Sequence, residues 1–238
     1  MMRKITILCL LFFLFIGKIY AQQDLVQPVS EAIIQDYLSK AKEYSVIYSG
    51  KLQYPYDPNI VNHPYLTTSE YSEGSLSYNN IVYTKVLMRL DLYKDELIVL
   101  TPDKLYNVFL ENEKFEYARF NDYLVIPSVQ NRWKDAPSGK YILLLHDGKY
   151  SVIKKYLLDL QTRVQSTHVE REFTIKERYY ICKDGRCYSV KSKGSVLKLF
   201  PDKKRELNSY AKMHKLNFGK NTESAIVEMV KHYETLSK

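Results

Sequence analysis

Beyond Ile16 the chain has no apolar run long enough to cross a bilayer, and it is poor in cysteine: three in 238 residues, with Cys9 inside the N-terminal apolar run. The first absence argues against a helical span in the body of the protein. The second leaves Cys182 and Cys187 as the only thiols outside that run. Chemical motifs are missing as well. There is no G-x-S-x-G elbow, P-loop, H-E-x-x-H pair or calcium loop, so the reaction classes those spacings mark are not indicated. His63, His146, His168, His214 and His232 show no paired spacing, and a structural zinc would need two more ligands beside the cysteines. No repeat at a fixed period and no low-complexity tract is present, which excludes a solenoid or propeller.

What is present begins at the first residue. MMRKITILCLLFFLFIGKIYAQQ has a basic start at Arg3 and Lys4, an apolar run from Ile5 to Ile16, a polar break and Ala21. That is the layout of a secretory signal peptide over residues 1–21, cleaved after Ala21. The run is about 12 residues, roughly 18 Å as a helix, against about 30 Å for a bilayer core. Cys9 lies within it, away from the cleavage site where a lipid-modified cysteine belongs. The mature chain, from Gln22, is expected to carry no transmembrane segment.

The formal charge of +8 is unevenly spread. Arg3, Lys4 and Lys18 leave with the signal peptide. Residues 22–190 hold 21 Lys and Arg against 22 Asp and Glu, whereas residues 191–238 hold 11 against 5. The excess therefore sits in a C-terminal segment. Export argues against nucleic acid as its counterpart; an envelope protein, anionic lipid headgroups or an acidic glycan fit better.

Ser30 can cap a helix to about Glu43, with Ile33, Ile34, Tyr37, Leu38 and Ala41 on one face. From Tyr44 "YSVIYSGKLQY" alternates as a strand does. Then "YPYDPNIVNHPYLTTSEYSEG", rich in proline and tyrosine, reads as a long connection packed onto the fold. From Ser75 to about Val190 short strands alternate with turns. The expected strands are Ser75 to Tyr78, Ile81 to Tyr93, Glu96 to Leu100, Lys104 to Leu110, Lys114 to Phe120, Tyr123 to Ile126, Lys140 to His146, Tyr150 to Leu157, Glu172 to Cys182 and Cys187 to Lys191. Asp-Gly in "HDGK" and "KDGR" suits type I′ hairpins. Helical periodicity returns in "PDKKRELNSYAKMHK", after a short turn at "GSVLKLF", and again from Asn221 or Thr222, with Ile226, Met229, Val230, Tyr233 and Leu236 as a stripe. The fold class is α+β: a bent antiparallel meander sheet or half-barrel, with an N-terminal helix and two C-terminal helices packed on it. Residues 22–190 form the helix and sheet domain and 191–238 a basic helical segment on the same domain.

With Asp184-Gly185 as a two-residue turn, Lys183 and Arg186 close the hairpin, and Cys182 and Cys187 become the next, non-hydrogen-bonded pair. In an oxidising compartment they are expected to form a disulfide stapling the hairpin. The C-x₄-C spacing is wrong for a redox pair.

Other constellations have structural explanations close at hand. His146-Asp147 precedes Gly148 and reads as a turn. His63 joins Tyr54, Tyr56, Tyr65 and Tyr71 as a pocket rim or, more simply, as aromatic packing. Asp91, Asp95, Glu96, Glu113, Glu116 and Asp122 lie on strands and turns, and a glycosidase would need two of them facing across a cleft. The 22 tyrosines suit strands and also surfaces that bind sugars or apolar ligands. No catalytic, cofactor-binding or metal residue is assigned.

"GSLSYNNIVYTKVLMRLDLYKDELIVL" and "YSVKSKGSVLKLFPDKKRELNSYAKMHKLNF" resemble small uncharacterised exported proteins of the Bacteroidetes type, in which G-x-L-x-Y…Y-x-x-V-x-x-R-x-D-x-Y-x-D-E-L precedes a basic helical tail. The resemblance covers residues 75–238. It implies a periplasmic or cell-surface location and no activity. The sequence thus points to an exported cell-envelope protein with a binding or scaffold role. Its alternatives are an envelope glycan or peptidoglycan hydrolase and an apolar-ligand carrier resembling a half-barrel lipid chaperone.

Overall fold

In a computed structural model of the chain, three hairpins turn where the sequence supplies residues that tolerate positive φ. Asn79 and Asn80 have φ of 54° and 61°, Asn121 and Asp122 49° and 63°, and Asp184 and Gly185 51° and 73°. Two consecutive positive φ values make the tight turn whose twist matches that of the flanking strands. The structure describes residues 46–128, 133–164 and 169–237, which belong to one compact unit. The expected signal peptide and the helix from Ser30 to Glu43 lie outside these residues.

Ten strands form one antiparallel sheet: β1 (Ser72–Tyr78), β2 (Ile81–Asp91), β3 (Glu96–Leu100), β4 (Asn107–Phe109), β5 (Phe115–Phe120), β6 (Tyr123–Pro127), β7 (Tyr141–Asp147), β8 (Ser151–Val164), β9 (Val169–Lys183) and β10 (Arg186–Val190). The spatial order is β10-β9-β8-β7-β6-β5-β1-β2-β3-β4. The expected simple meander is therefore corrected at one point. β5 returns to the free side of β1, with Tyr78 opposite Phe115, instead of continuing beside β4.

The sheet is open but strongly bent, and the connection lengths require it. β4 and β5 stand four places apart in the order, about 19 Å in a flat sheet, yet only residues 110–114 join them, three of these in a 3-10 turn. Further round, Asp95 in the β2–β3 turn reaches Lys155 on β8 at 2.7 Å. Bending brings the β2–β3 hairpin onto one face of β8.

Three helices cover part of the other face: α1 (Lys193–Leu199), α2 (Lys204–Met213) and α3 (Thr222–Leu236). Two were expected. α1 forms where a turn was read because Ser192 and Ser195 make a reciprocal capping box. Val152, Tyr179, Ile181 and Val190 of the sheet pack with Val196, Phe200, Leu207, Ile226, Met229 and Val230. Burying such side chains contributes about 1.5–3 kcal/mol each relative to exposure.

The expected strand from Tyr44 does not form within the described residues. Val46–Tyr48 is a 3-10 turn, and Leu52 makes an isolated bridge to Val108. Gly50 lets the chain pass against the Phe109 carbonyl, where a Cβ would collide. "HDGK" is corrected too. Asp147 pairs with Ser151, so three residues, 148–150, make the turn, and neither Asp147 nor Gly148 has positive φ. The Glu234 carboxylate and the His146 ring lie against Gly148, where a larger side chain would have to push them aside.

Candidate functional site

Four of the six acids singled out in the sequence, Asp91, Asp95, Glu96 and Glu116, are taken up in local contacts. Asp91, at the end of β2, is 0 % exposed and accepts from Tyr56 Oη at 2.7 Å, Tyr93 N at 3.0 Å and Lys94 N at 2.8 Å. Burial holds its carboxyl above the usual carboxylate range, against the opposing pull of these hydrogen bonds. Glu116 binds Ser77 Oγ and accepts from Asn80 N, tying the first hairpin turn to β5. Asp95 accepts from Lys155 Nζ and from Lys140 N, and Glu96 pairs with Lys140 Nζ. Glu113 lies in the 3-10 turn before β5, and Asp122 in the β5–β6 turn.

The tyrosine-rich connection packs onto the end of β2. Leu66 N donates to Leu90 O and Leu92 N to Pro64 O, each at 2.9 Å. The rings of Tyr56, Tyr65, Tyr93 and Phe173 form an edge-to-face cluster, with centroids 5.1–6.3 Å apart, and His63 stacks on Tyr65. Arg89 lies over Tyr65 at 3.8 Å and Tyr71 at 4.3 Å. Burial pushes the Tyr71 hydroxyl up to about 12. Tyr54 stays out of the cluster, 74 % exposed. Loop packing accounts for His63, Tyr56, Tyr65 and Tyr71 together.

Sequence reasoning missed Lys154 and Lys155, both buried in β8 and facing opposite sides of the sheet. Lys154 Nζ meets Glu177 Oε1 and Glu223 Oε2, each at 2.9 Å, and sits over Tyr156 at 4.4 Å. Burial alone would lower its pKa; hydrogen bonds to Tyr156, Glu177 and Glu223 outweigh this and raise it. Lys155 Nζ has Asp95 Oδ1 at 2.7 Å and the Tyr141 carbonyl at 2.6 Å, and there burial prevails and lowers the pKa. The cavity beside them is about 10 Å³, room for roughly one water. Two adjacent lysines within the apolar-rich "SVIKKYLL" were the available signal.

Cys182 and Cys187 are paired across the β9–β10 hairpin at disulfide distance, Sγ–Sγ 1.92 Å and Cα–Cα 4.0 Å. They pack with Trp133, Ile142 and Ile153. His146 Nε2 lies 3.0 Å from Glu234 Oε2, whose Oε1 accepts from Tyr150 N at 2.9 Å. Its neighbour Asp147 accepts instead from Ser151 Oγ at 3.3 Å. His214, tilted, and His232, stacked, both pack against the Tyr210 ring, with centroids at 4.2 and 3.9 Å. Among the described residues, no group of three or more His, Cys, Asp and Glu could hold a metal ion.

The helical layer differs in its use of charge. Its carboxylates turn to internal or neighbouring partners: Asp202 to Tyr233 Oη at 3.1 Å, Glu206 to Lys203 at 3.8 Å, Glu223 to Lys154, Glu228 to Tyr210 Oη at 3.2 Å, and Glu234 to the β7–β8 turn. Lys191, Lys198, Lys204, Arg205, Lys212 and Lys220 are exposed and have no carboxylate partner among the described residues. Between α1 and α2 lies an open groove of about 750 Å³, lined by Leu197, Pro201, Asp202, Lys204, Arg205, Glu206 and Asn208. This surface offers ammonium and guanidinium donors to an anion, with Asp202 and Glu206 at the groove itself. No family model, curated protein or solved structure matches the chain. No helix of the described residues is long and apolar enough to cross a membrane.

Proposed function

We infer that this is an exported protein of the cell envelope with a non-enzymatic binding or scaffold role, whose helical layer docks an anionic partner. The observation that carries the reading is the charge arrangement just described: each carboxylate of residues 191–237 has a partner within the protein, Asp202 and Glu206 at the surface included, while Lys191, Lys198, Lys204, Arg205, Lys212 and Lys220 are exposed with no carboxylate partner among the described residues. Such a layer raises the local concentration of anions and accelerates their association. The signal-peptide pattern and a cysteine pair at disulfide distance are compatible with export. The resemblance to exported proteins of the Bacteroidetes type points the same way. Asp91 is sealed from solvent and saturated with donors, which disfavours it as the acid of a glycan hydrolase. The small cavity beside Lys155 likewise gives no support to an apolar-ligand carrier.

The test is co-sedimentation with vesicles of phosphatidylglycerol mixed into phosphatidylcholine, alongside phosphatidylcholine alone, combined with incubation on purified peptidoglycan. The expected result is salt-sensitive retention on the anionic surface, weakened by Lys204→Glu with Arg205→Glu, and no release of soluble peptidoglycan fragments. Fragment release, or equal behaviour towards both vesicles, overturns the reading.

A further inference from the structure

The margins of the sheet are closed in several places by devices that stop strand addition. β4 is three residues long, and its outer side is taken by the chain at Lys51 and Gln53, through Phe109 N to Lys51 O at 2.8 Å and Gln53 N to Asn107 O at 2.7 Å. Beside β10, Lys134 N donates to Gly185 O and Lys134 O accepts from Cys187 N, both at 2.8 Å. Along β9, Val61 N donates to Arg171 O at 3.0 Å, while the Asn62 side chain bonds both backbone groups of Phe173 at 2.7 and 2.8 Å. β2 bulges between Tyr83 and Val86, where it has one residue more than β1 and Lys85 takes φ 56°.

β8 is treated differently. Its pairing with β7 ends at Lys154, and no described residue pairs with its outer side from Leu158 to Val164. There it continues only as a two-stranded ribbon with β9, to Val164 opposite Val169. The stretch LDLQTRV contains no lysine, no proline and no bulge. Val164 is 79 % exposed at its end. Arg171 and Phe173 turn their backbone groups away from β8, towards Val61 and Asn62. Their partners Thr162 and Leu160 therefore turn theirs to the open side.

We propose that this edge is the homodimer interface, and that it pairs antiparallel with the same segment of a second copy about a two-fold axis at Gln161. The charges select that register. Asp159 of each copy then faces Arg163 of the other, Leu158 faces Val164, and Leu160 faces Thr162. Moving the axis to Leu160 sets Asp159 against Gln161 and Leu157 against Arg163, and both ion pairs are lost. Arg163 is already held on that face of the ribbon by Glu172 at 2.6 Å. The pairing is isologous, as a closed dimer requires. In this register Lys155 of one copy falls beyond Val164 of the other, so the paired segment is confined to the ribbon from Leu158 to Val164.

The experiment is light scattering of the purified protein over a concentration series, together with Gln161→Cys and Leu160→Pro. The expected mass is about twice that of one chain. Gln161→Cys, facing itself across the axis, forms a reducible covalent dimer on mild oxidation. Leu160→Pro removes an outward N–H that β9 does not use, so it abolishes the dimer and leaves the circular dichroism of the fold unchanged. Asp159→Arg weakens the dimer by about tenfold through facing arginines. A chain that stays monomeric at all micromolar concentrations, with Gln161→Cys giving no covalent dimer, overturns the proposal. So does a dimer that survives Leu160→Pro without cross-linking at Gln161→Cys, because its interface lies elsewhere.

Discussion

Strand β8 separates two interiors that bury a lysine in opposite ways. On the helix side, Lys154 has two carboxylates and an aromatic face, and its charge is favoured. On the hairpin side, Lys155 has one carboxylate and one carbonyl, and desolvation dominates. Both are nearly withdrawn from water, 4 % and 6 % exposed. Burial by itself thus does not fix the sign of a shift; the number and charge of the partners does. The apolar surroundings differ too. The helix side has an aromatic core of Tyr150, Phe200 and Tyr233, and the hairpin side is laced by Asp91, Asp95 and their donors.

The comparison can be broken most forcefully on the helix side. Phe200 is wholly buried and stacks on Tyr233 at 4.0 Å, so Phe200→Ala should cost about 3–5 kcal/mol, read as a lower urea midpoint with unchanged slope. Next comes the contrast between the lysines. Asp95→Asn strips Lys155 of its only charged partner among the described residues and should cost about 3 kcal/mol, whereas Glu223→Gln leaves Lys154 with Glu177 and should cost less than about 1 kcal/mol. Equal losses in a denaturant titration would show that partner number does not decide the matter.

Replacing Cys182 and Cys187 together by alanine tests the hairpin's staple. A loop so short gives a loss of about 2 kcal/mol, and the same loss should appear when the unaltered protein is titrated with reductant. The smallest effect concerns Asp91. Its folded-state pKa lies above the ordinary 3.8, so its favourable contribution is complete below 3.8 and declines as pH rises through the folded value. The melting temperature of the unaltered protein relative to Asp91→Asn should therefore fall over that interval. A difference independent of pH would contradict the assignment.

Local features were legible in the sequence. Asn79-Asn80, Asn121-Asp122 and Asp184-Gly185 announced their hairpins, and the cysteine register followed from the last of them. The stripe of Ile226, Met229, Val230 and Tyr233 required a partner and has one. What escaped depends on distant residues. Nothing near Tyr78 says that Phe115 will lie beside it, because either side of β1 can accept a strand. The ends of β8 and β9 were read short: Asp159, Gln161 and Arg163 interrupt the apolar residues, although they alternate with Leu158, Leu160 and Val164 as a strand should. The helical layer's charge was legible as an excess of lysine. Its outward direction was not, since that depends on partners such as Lys154, Tyr150 and Tyr233.

The place of β1 between β5 and β2 divides the folding of the chain into two kinds of event. From β5 to β10 every strand pairs with its immediate successor, so those ladders can zip one hairpin at a time as the chain lengthens. The seam between β1 and β5 must instead close the chain from Tyr78 to Phe115, at a loop-closure cost in entropy larger than any two-residue hairpin carries. Mutations at Leu76 or Ala118, which meet across the seam whose closure limits folding, should therefore slow refolding.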